Sequence, residues 1–226
     1  MNLNTLTIIE AIKGLRAKEF SSVELTQACL NQITKLNPRL NSFITITSEL
    51  ALKSAQEADK LLNNETASNA ASAPLLGIPI ALKDLFSTKG IETTAGSNLL
   101  RGYIPPFDAT VVAKLKNAGA VVVGKTNLDA WAHGSSGENS DFGPTKNPWN
   151  TEYVPGGSSS GSAVSVSADM CLASTGTDTG GSIRLPASFT NTVGLKPTYG
   201  RVSRYGVIAM ASSLDSIGHV TKTVED

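Results

Sequence analysis

The sequence predicts an α/β protein in which helices cover a sheet, and three observations carry that expectation. Apolar residues recur at helical spacing near the N-terminus. Short apolar runs, GIPIAL and AVVVG, have strand length and alternate with helix-like segments. Further on, a strand and a helix are each joined to a turn rich in glycine and serine.

Taken in order, residues 5–18 place Leu6, Ile9, Ile12 and Leu15 at helical spacing. Ser21 and Glu24 form a Ser-x-x-Glu capping box before VELTQACLNQITKL, which predicts a second helix packed on the first. A short β-like run covers Phe43 to Thr47, and a helix rich in Ala, Lys, Glu and Leu follows from about Glu49 to Leu62. NNETASNAASAP is polar and small, a loop ending at Pro74. GIPIAL is a buried strand that delivers Lys83 and Asp84 at its end. The segment Asp108–Gly119 predicts a helix stopped by Gly119, and AVVVG the strand after it. From Gly134 the chain fills with Gly, Ser, Asn and Pro; a loop this long inside a compact domain tends to be functional. SAVSVSAD then reads as a small-residue helix, and CLASTGTD as a strand ending at DTGGS.

Composition excludes several classes. The 226 residues are 40% apolar, enough for a core, and carry 19 basic against 19 acidic side chains. No global field therefore argues for nucleic-acid or anionic-membrane binding. Cys29 and Cys171 are too few for a disulfide framework and fit a reducing compartment as two structural thiols. The N-terminus lacks a basic segment followed by a continuous apolar one, and no run approaches the roughly 18 apolar residues of a membrane span. These features predict a cytoplasmic protein without membrane contact.

One motif misleads. GAVVVGKT, Gly119 to Thr126, matches the phosphate-loop pattern letter for letter. Such a loop follows a strand, opens a helix and turns its middle N–H groups towards phosphate; here a helix precedes it and the middle is Val-Val-Val, a strand core. The segment is read as a strand. His133 and His219 limit any Ser-His-Asp proposal, no G-x-S-x-G elbow occurs, and no His/Cys pair has metal spacing.

What remains is serine and lysine. Gly180 and Gly181 let consecutive backbone N–H groups converge beside Ser182, an arrangement suited to a developing oxyanion, although any tight turn explains the glycines equally. The run from Gly156 to Ser162 reads as a flexible loop on composition alone, and Lys83 as a surface lysine. A serine hydroxyl needs a base within hydrogen-bond reach, and lysine serves only when neutral. Lowering its pKa from about 10.4 to about 7 or 8 takes about 3 to 4 kcal/mol of desolvation or local charge.

Together, Lys83 in GIPIALKDLF, Ser158 in PGGSSSGSA and Ser182 in GTDTGGSIRLPAS resemble the amidase signature family, and the 24 residues from Ser158 to Ser182 fit it. Within that family, GSSGENSDFGPTKNPWN and VGLKPTYGRVSRYGVIAMASSLDSIGHVTKTVED are most similar to the A subunits of glutamyl-tRNA(Gln)/aspartyl-tRNA(Asn) amidotransferases. The resemblance implies a mixed central β-sheet covered by helices, incomplete here on its C-terminal side: one amidase domain over 1–226, with N-terminal helices in 1–65 and part of the catalytic core in 75–226. It implies that Ser182 is the nucleophile, Ser158 follows a cis peptide bond, and Lys83 is the base acting through it. Backbone amides of Thr179, Gly180, Gly181 and Ser182 would form the oxyanion hole, with Asp178, Arg184 and Ser159 supporting and no metal.

The implied reaction is hydrolysis of glutamine to release ammonia for Glu-tRNA(Gln). The implied partners are a B subunit, which binds the tRNA and uses ATP and Mg²⁺, and a small C subunit; this chain itself would need no cofactor. A stand-alone amidase acting on another carboxamide would share every catalytic residue. The chain departs from the family at Ser160, where glycine is usual, Leu185 for glutamine, Gly137 for threonine and His133 for methionine. If position 160 needs positive φ, serine there adds strain.

Overall fold

The computed structural model describes residues 2–64 and 73–226. The expected loop over NNETASNAASAP falls largely on 65–72, outside the described residues. Helix α1 spans Ile8–Arg16 and α2 spans Ser22–Leu40. The first helix starts later than expected because Thr7 and Glu10 form a second capping box, each side chain bonding the other's backbone N–H. Ser21 and Glu24 cap α2 in the same way.

Strand β1 is Phe43–Ile46, helix α3 Ser48–Asn63, strand β2 Pro79–Lys83, helix α4 Thr110–Asn117 and strand β3 Val121–Thr126. Helix α5, Ser160–Ser167, precedes β4, Ala173–Asp178. Helix α6, Arg184–Thr190, then leads to β5, Val193–Leu195, and β6, Ser216–Thr221. The six strands form one sheet in the order β1-β3-β2-β4-β6-β5. β2 runs parallel to both β3 and β4, while β1, β6 and β5 pair antiparallel at the flanks. The sheet is therefore mixed, as expected, with a parallel centre.

Every residue of β2 and β3 is buried, as a parallel centre covered on both faces requires. Alternation sorts the side chains: Ile80, Leu82 and Val122 join Leu15, Leu25 and Val112 in one apolar cluster. Ala81, Val121 and Val123 join Ile33, Ala55 and Val164 in the other. Among the described residues no helix is long and apolar enough to cross a membrane.

The parallel centre positions the site. β2 ends at Lys83 and β4 at Asp178, and Asp129 stands three residues beyond the end of β3. In open α/β sheets the carboxyl ends of parallel strands are where ligands bind. The phosphate-loop look-alike, Gly119–Thr126, is a helix exit and a strand, with Gly124, Lys125 and Thr126 buried inside β3. Nothing there could cradle a phosphate.

Candidate active site

Lys83 is completely buried, and its backbone N–H donates to Thr175 Oγ1 at 2.9 Å. Its Nζ lies 2.9 Å from Ser158 Oγ, 2.9 Å from Ser159 Oγ and 2.8 Å from Thr177 Oγ1. Burial pushes its pKa down to about 7, against the opposing fields of Asp129, Asp178 and Asp215. Near neutrality the amine is thus divided between its charged form and one with a free lone pair.

That lone pair needs a hydroxyl proton. Ser159 Oγ already donates to the Thr177 carbonyl at 3.2 Å and accepts from the Thr177 N–H at 3.3 Å. Ser159 therefore braces the turn against β4. Ser158 and Thr177 are left as hydroxyls free to donate to Nζ, and Ser158 is the one carried by the glycine-serine turn. The Gly157–Ser158 peptide is cis.

Ser158 and Ser159 stand just before α5, whose residues Ser160 to Val166 are all buried. Such a helix must satisfy its hydroxyls internally. Ser160 donates to Thr145 Oγ1 at 3.1 Å, Ser162 to the Thr175 carbonyl at 2.8 Å and Ser165 to the Ser162 carbonyl at 2.9 Å. Ser160 itself is the first helical residue and does not have positive φ, so the strain considered for serine at this position does not arise. A Cβ on Gly137 would lie 2.7 Å from Ser160 Cβ. With Ser160 opposite it, position 137 has no room for a side chain.

The turn after β4 holds Ser182, whose carbonyl accepts the Ser159 N–H at 3.0 Å. This bond ties the two serine-bearing turns together. No hydrogen bond joins Ser158 Oγ to Ser182 Oγ among the described residues. Gly181 has φ of +132°, a conformation that a side chain would disfavour. Its N–H donates to Asp178 Oδ1 at 2.8 Å, which removes it from the four amides expected to face an oxyanion. The N–H groups of Thr179, Gly180 and Ser182 make no hydrogen bond among the described residues.

Asp178 is the organiser of this turn. It takes Arg184 Nε at 3.0 Å and Nη2 at 2.9 Å, and it also accepts the Ile183 N–H at 3.1 Å. Burial alone would raise its pKa, but these donors outweigh it and hold the carboxyl below the usual range. Ser182 borders a cleft of about 730 Å³ whose walls include Gly134, Gly157, Leu185 and Met210.

Three contributors were not singled out from the sequence: Thr177, Asp129 and Asp215. The Thr-x-Thr alternation in STGTD signals the first, since residues two apart share a strand face. Asp215 accepts Thr179 Oγ1 at 2.6 Å and the Met210 N–H at 2.9 Å, joining the turn after β4 to the cleft wall. Neither it nor Asp129 stands in a local pattern that would mark it. His133 and His219 are exposed and donate to neither serine. Cys29 and Cys171 are buried, and burial pushes both thiols up, Cys171 to about 12.

A mixed sheet whose parallel strands lead to a buried lysine and two serine turns, with no imidazole among them in the described residues, is a candidate serine–lysine centre. A family model described as Amidase matches residues 24–226. Over all 226 residues the chain is 58% identical to the A subunit of glutamyl-tRNA(Gln) amidotransferase from Geobacter metallireducens, covering 46% of that relative. Over 224 residues it is 57% identical to the protein of the same name from Pseudomonas fluorescens, 99% of this chain and 45% of the relative.

Among solved structures, the A subunit of glutamyl-tRNA(Gln) amidotransferase from Thermotoga maritima superimposes with a TM-score of 0.83 at 47% identity, over 99% of this chain and 45% of that one. The peptide amidase of Stenotrophomonas maltophilia does so with a TM-score of 0.90 at 41% identity, over 97% and 46%. The chain belongs to the amidase family. It spans about half the length of the curated relatives it matches.

Proposed function

We propose that the protein hydrolyses glutamine as the ammonia-producing component of a tRNA-dependent amidotransferase. Lys83 takes the Ser158 proton, and Ser158 takes that of Ser182 as Ser182 Oγ attacks the carboxamide carbon. The C–N bond then breaks, the proton on Lys83 returns through Ser158 to the leaving nitrogen, and ammonia departs. Water hydrolyses the glutamyl ester by the same route in reverse order. The Ser158–Ser182 link closes by rotation of the Ser182 side chain once substrate is bound, since catalytic hydrogen bonds are often loose in free enzymes.

The amides of Thr179, Gly180 and Ser182 receive the oxyanion, each well-aimed donor contributing roughly 3 kcal/mol. Gly181 gives its N–H to Asp178 instead and so fixes the turn. Ser159, Asp178 and Arg184 support. Ammonia passes to a B subunit that uses ATP and Mg²⁺ to activate Glu-tRNA(Gln), while a C subunit braces the assembly in the cytoplasm. The balanced charge of this chain suits RNA recognition lying on a partner.

The single observation that carries the reading is Lys83 Nζ at 2.9 Å from Ser158 Oγ, both residues being fully buried. The higher identity to the amidotransferase relatives favours glutamine, whereas the peptide amidase matches the backbone at least as well, which favours a stand-alone amidase. Ammonia release from glutamine by the intact protein with its partners separates them. Partner-dependent release that Ser182→Ala abolishes is expected; undiminished release by that variant contradicts the mechanism, and turnover of simple amides without partners favours the alternative.

A further inference from the structure

Asp129 is completely buried, yet no lysine, arginine or histidine pairs with it among the described residues. Among the described residues its carboxylate is held by backbone donors: Gly137 N–H at 3.1 Å to each oxygen and Asn139 N–H at 3.0 Å. Its own N–H donates to the Ser158 carbonyl at 3.3 Å. A Cβ on Gly157 would lie 2.0 Å from Asp129 Oδ2, and one on Gly134 would lie 2.4 Å from its carboxyl carbon. The carboxylate therefore fills the space between two glycines that line the cleft beside Ser182.

We propose that Asp129 is a positioning residue: wedged between Gly134 and Gly157, it fixes the Gly157–Ser158 segment that meets Lys83, and its carboxylate acts on that lysine through space. The proposal rests on the serine–lysine reading above. Burying an unpaired carboxylate is costly unless hydrogen bonds and a nearby charge offset it. Purely structural packing at Gly157 and Gly134 would be served by an apolar side chain. Three carboxylates act on Lys83: Asp129 beyond β3, Asp178 at the end of β4, which is paired with Arg184, and Asp215 before β6. Asp129 acts most strongly of the three carboxylates. The adjacent Asp84 is paired with Lys125.

The test is the pH dependence of labelling by a fluorophosphonate in the intact protein. Labelling forms a Ser182 Oγ–P bond, breaks P–F, expels fluoride and sends the serine proton to Lys83 through Ser158, so it reads activation without needing glutamine. Asp129→Asn is expected to label roughly 10²-fold more slowly, the scale of a misplaced catalytic group. Its half-rate point should also move to lower pH, because removing a negative charge weakens proton binding by Lys83.

A side chain that merely props the loop would, when altered, admit water and move that point to higher pH. A shift upwards, or labelling equal to the wild type, overturns the proposal. Should Asp129→Asn fail to fold, Gly157→Ala decides: slowed labelling supports the wedge, and wild-type labelling overturns it. Failure of the glutaminase reading looks different, as wild type that labels at Ser182 but releases no ammonia from glutamine.

Discussion

Two lysines on neighbouring strands, Lys83 at the end of β2 and Lys125 in β3, are both completely buried. Burial pushes the pKa of each down. They differ in partners. Lys125 Nζ lies 2.9 Å from Asp84 Oδ1 and donates to Thr93 Oγ1 at 2.7 Å, whereas Lys83 Nζ meets three hydroxyls and, among the described residues, no carboxylate within bonding distance. A contact carboxylate fixes the charged form and makes a lysine a structural cation. Hydroxyls accept from the charged form and donate to the neutral one, so they leave the proton free to move. Partner chemistry, at equal burial, is what distinguishes the two lysines.

The largest expected effect is on Lys83→Ala, whose Ser182 labelling should fall by roughly 10³-fold or more, within the range of general-base catalysis and its relay. Retained labelling at pH 7 would erase the distinction. Lys125→Met should act on stability instead, costing about 3–5 kcal/mol in denaturant titration because Asp84 is left buried without its cation. A Lys125→Met protein of unchanged stability would show that the pair is dispensable.

The contrast between the two lysines extends to pH. Lys83 has a folded-state pKa near 7 against an ordinary 10.5, so the unfolded chain binds more protons across that window. The contribution of Lys83 to stability therefore rises with pH between those values and is least favourable below 7. Relative to Lys83→Met, the wild type should gain about 2–3 kcal/mol between pH 7 and pH 9. A constant difference between the two would mean that Lys83 is charged throughout.

The smallest effect is expected for Arg184→Ala. The Arg184 side chain is 54% exposed, and Asp178 keeps the Gly181 and Ile183 N–H groups as donors. Solvent screening limits the loss to about 1 kcal/mol, read as a small fall in melting temperature.

The sequence is most informative where the cause is local. Lys83, Ser158 and Ser182 are each marked by a strand end or by glycines that a turn requires, and the structure brings their turns together through the Ser159–Ser182 backbone bond. The phosphate-loop match yields to context, because three consecutive valines form a strand core. Thr7 and Glu10 carry a capping box as readable as that of Ser21 and Glu24, and apolar spacing without that box sets the first helix start too early, near residue 5. Asp129 and Asp215 are not legible, since their meaning lies in amides and glycines from other segments. The close approach of Gly137 to Ser160 has the same character: two residues 23 positions apart share one contact in space.

Whether a desolvated Lys83 activates Ser182 through Ser158 is decided most directly by the rate of Ser182 acylation measured against pH, with site identification by mass spectrometry. A single rise with a midpoint near pH 7, an adduct on Ser182, and loss of both in Lys83→Ala are expected. A rate that climbs only near the ordinary lysine pKa of 10.5, or an adduct on another serine, would contradict that role for Lys83.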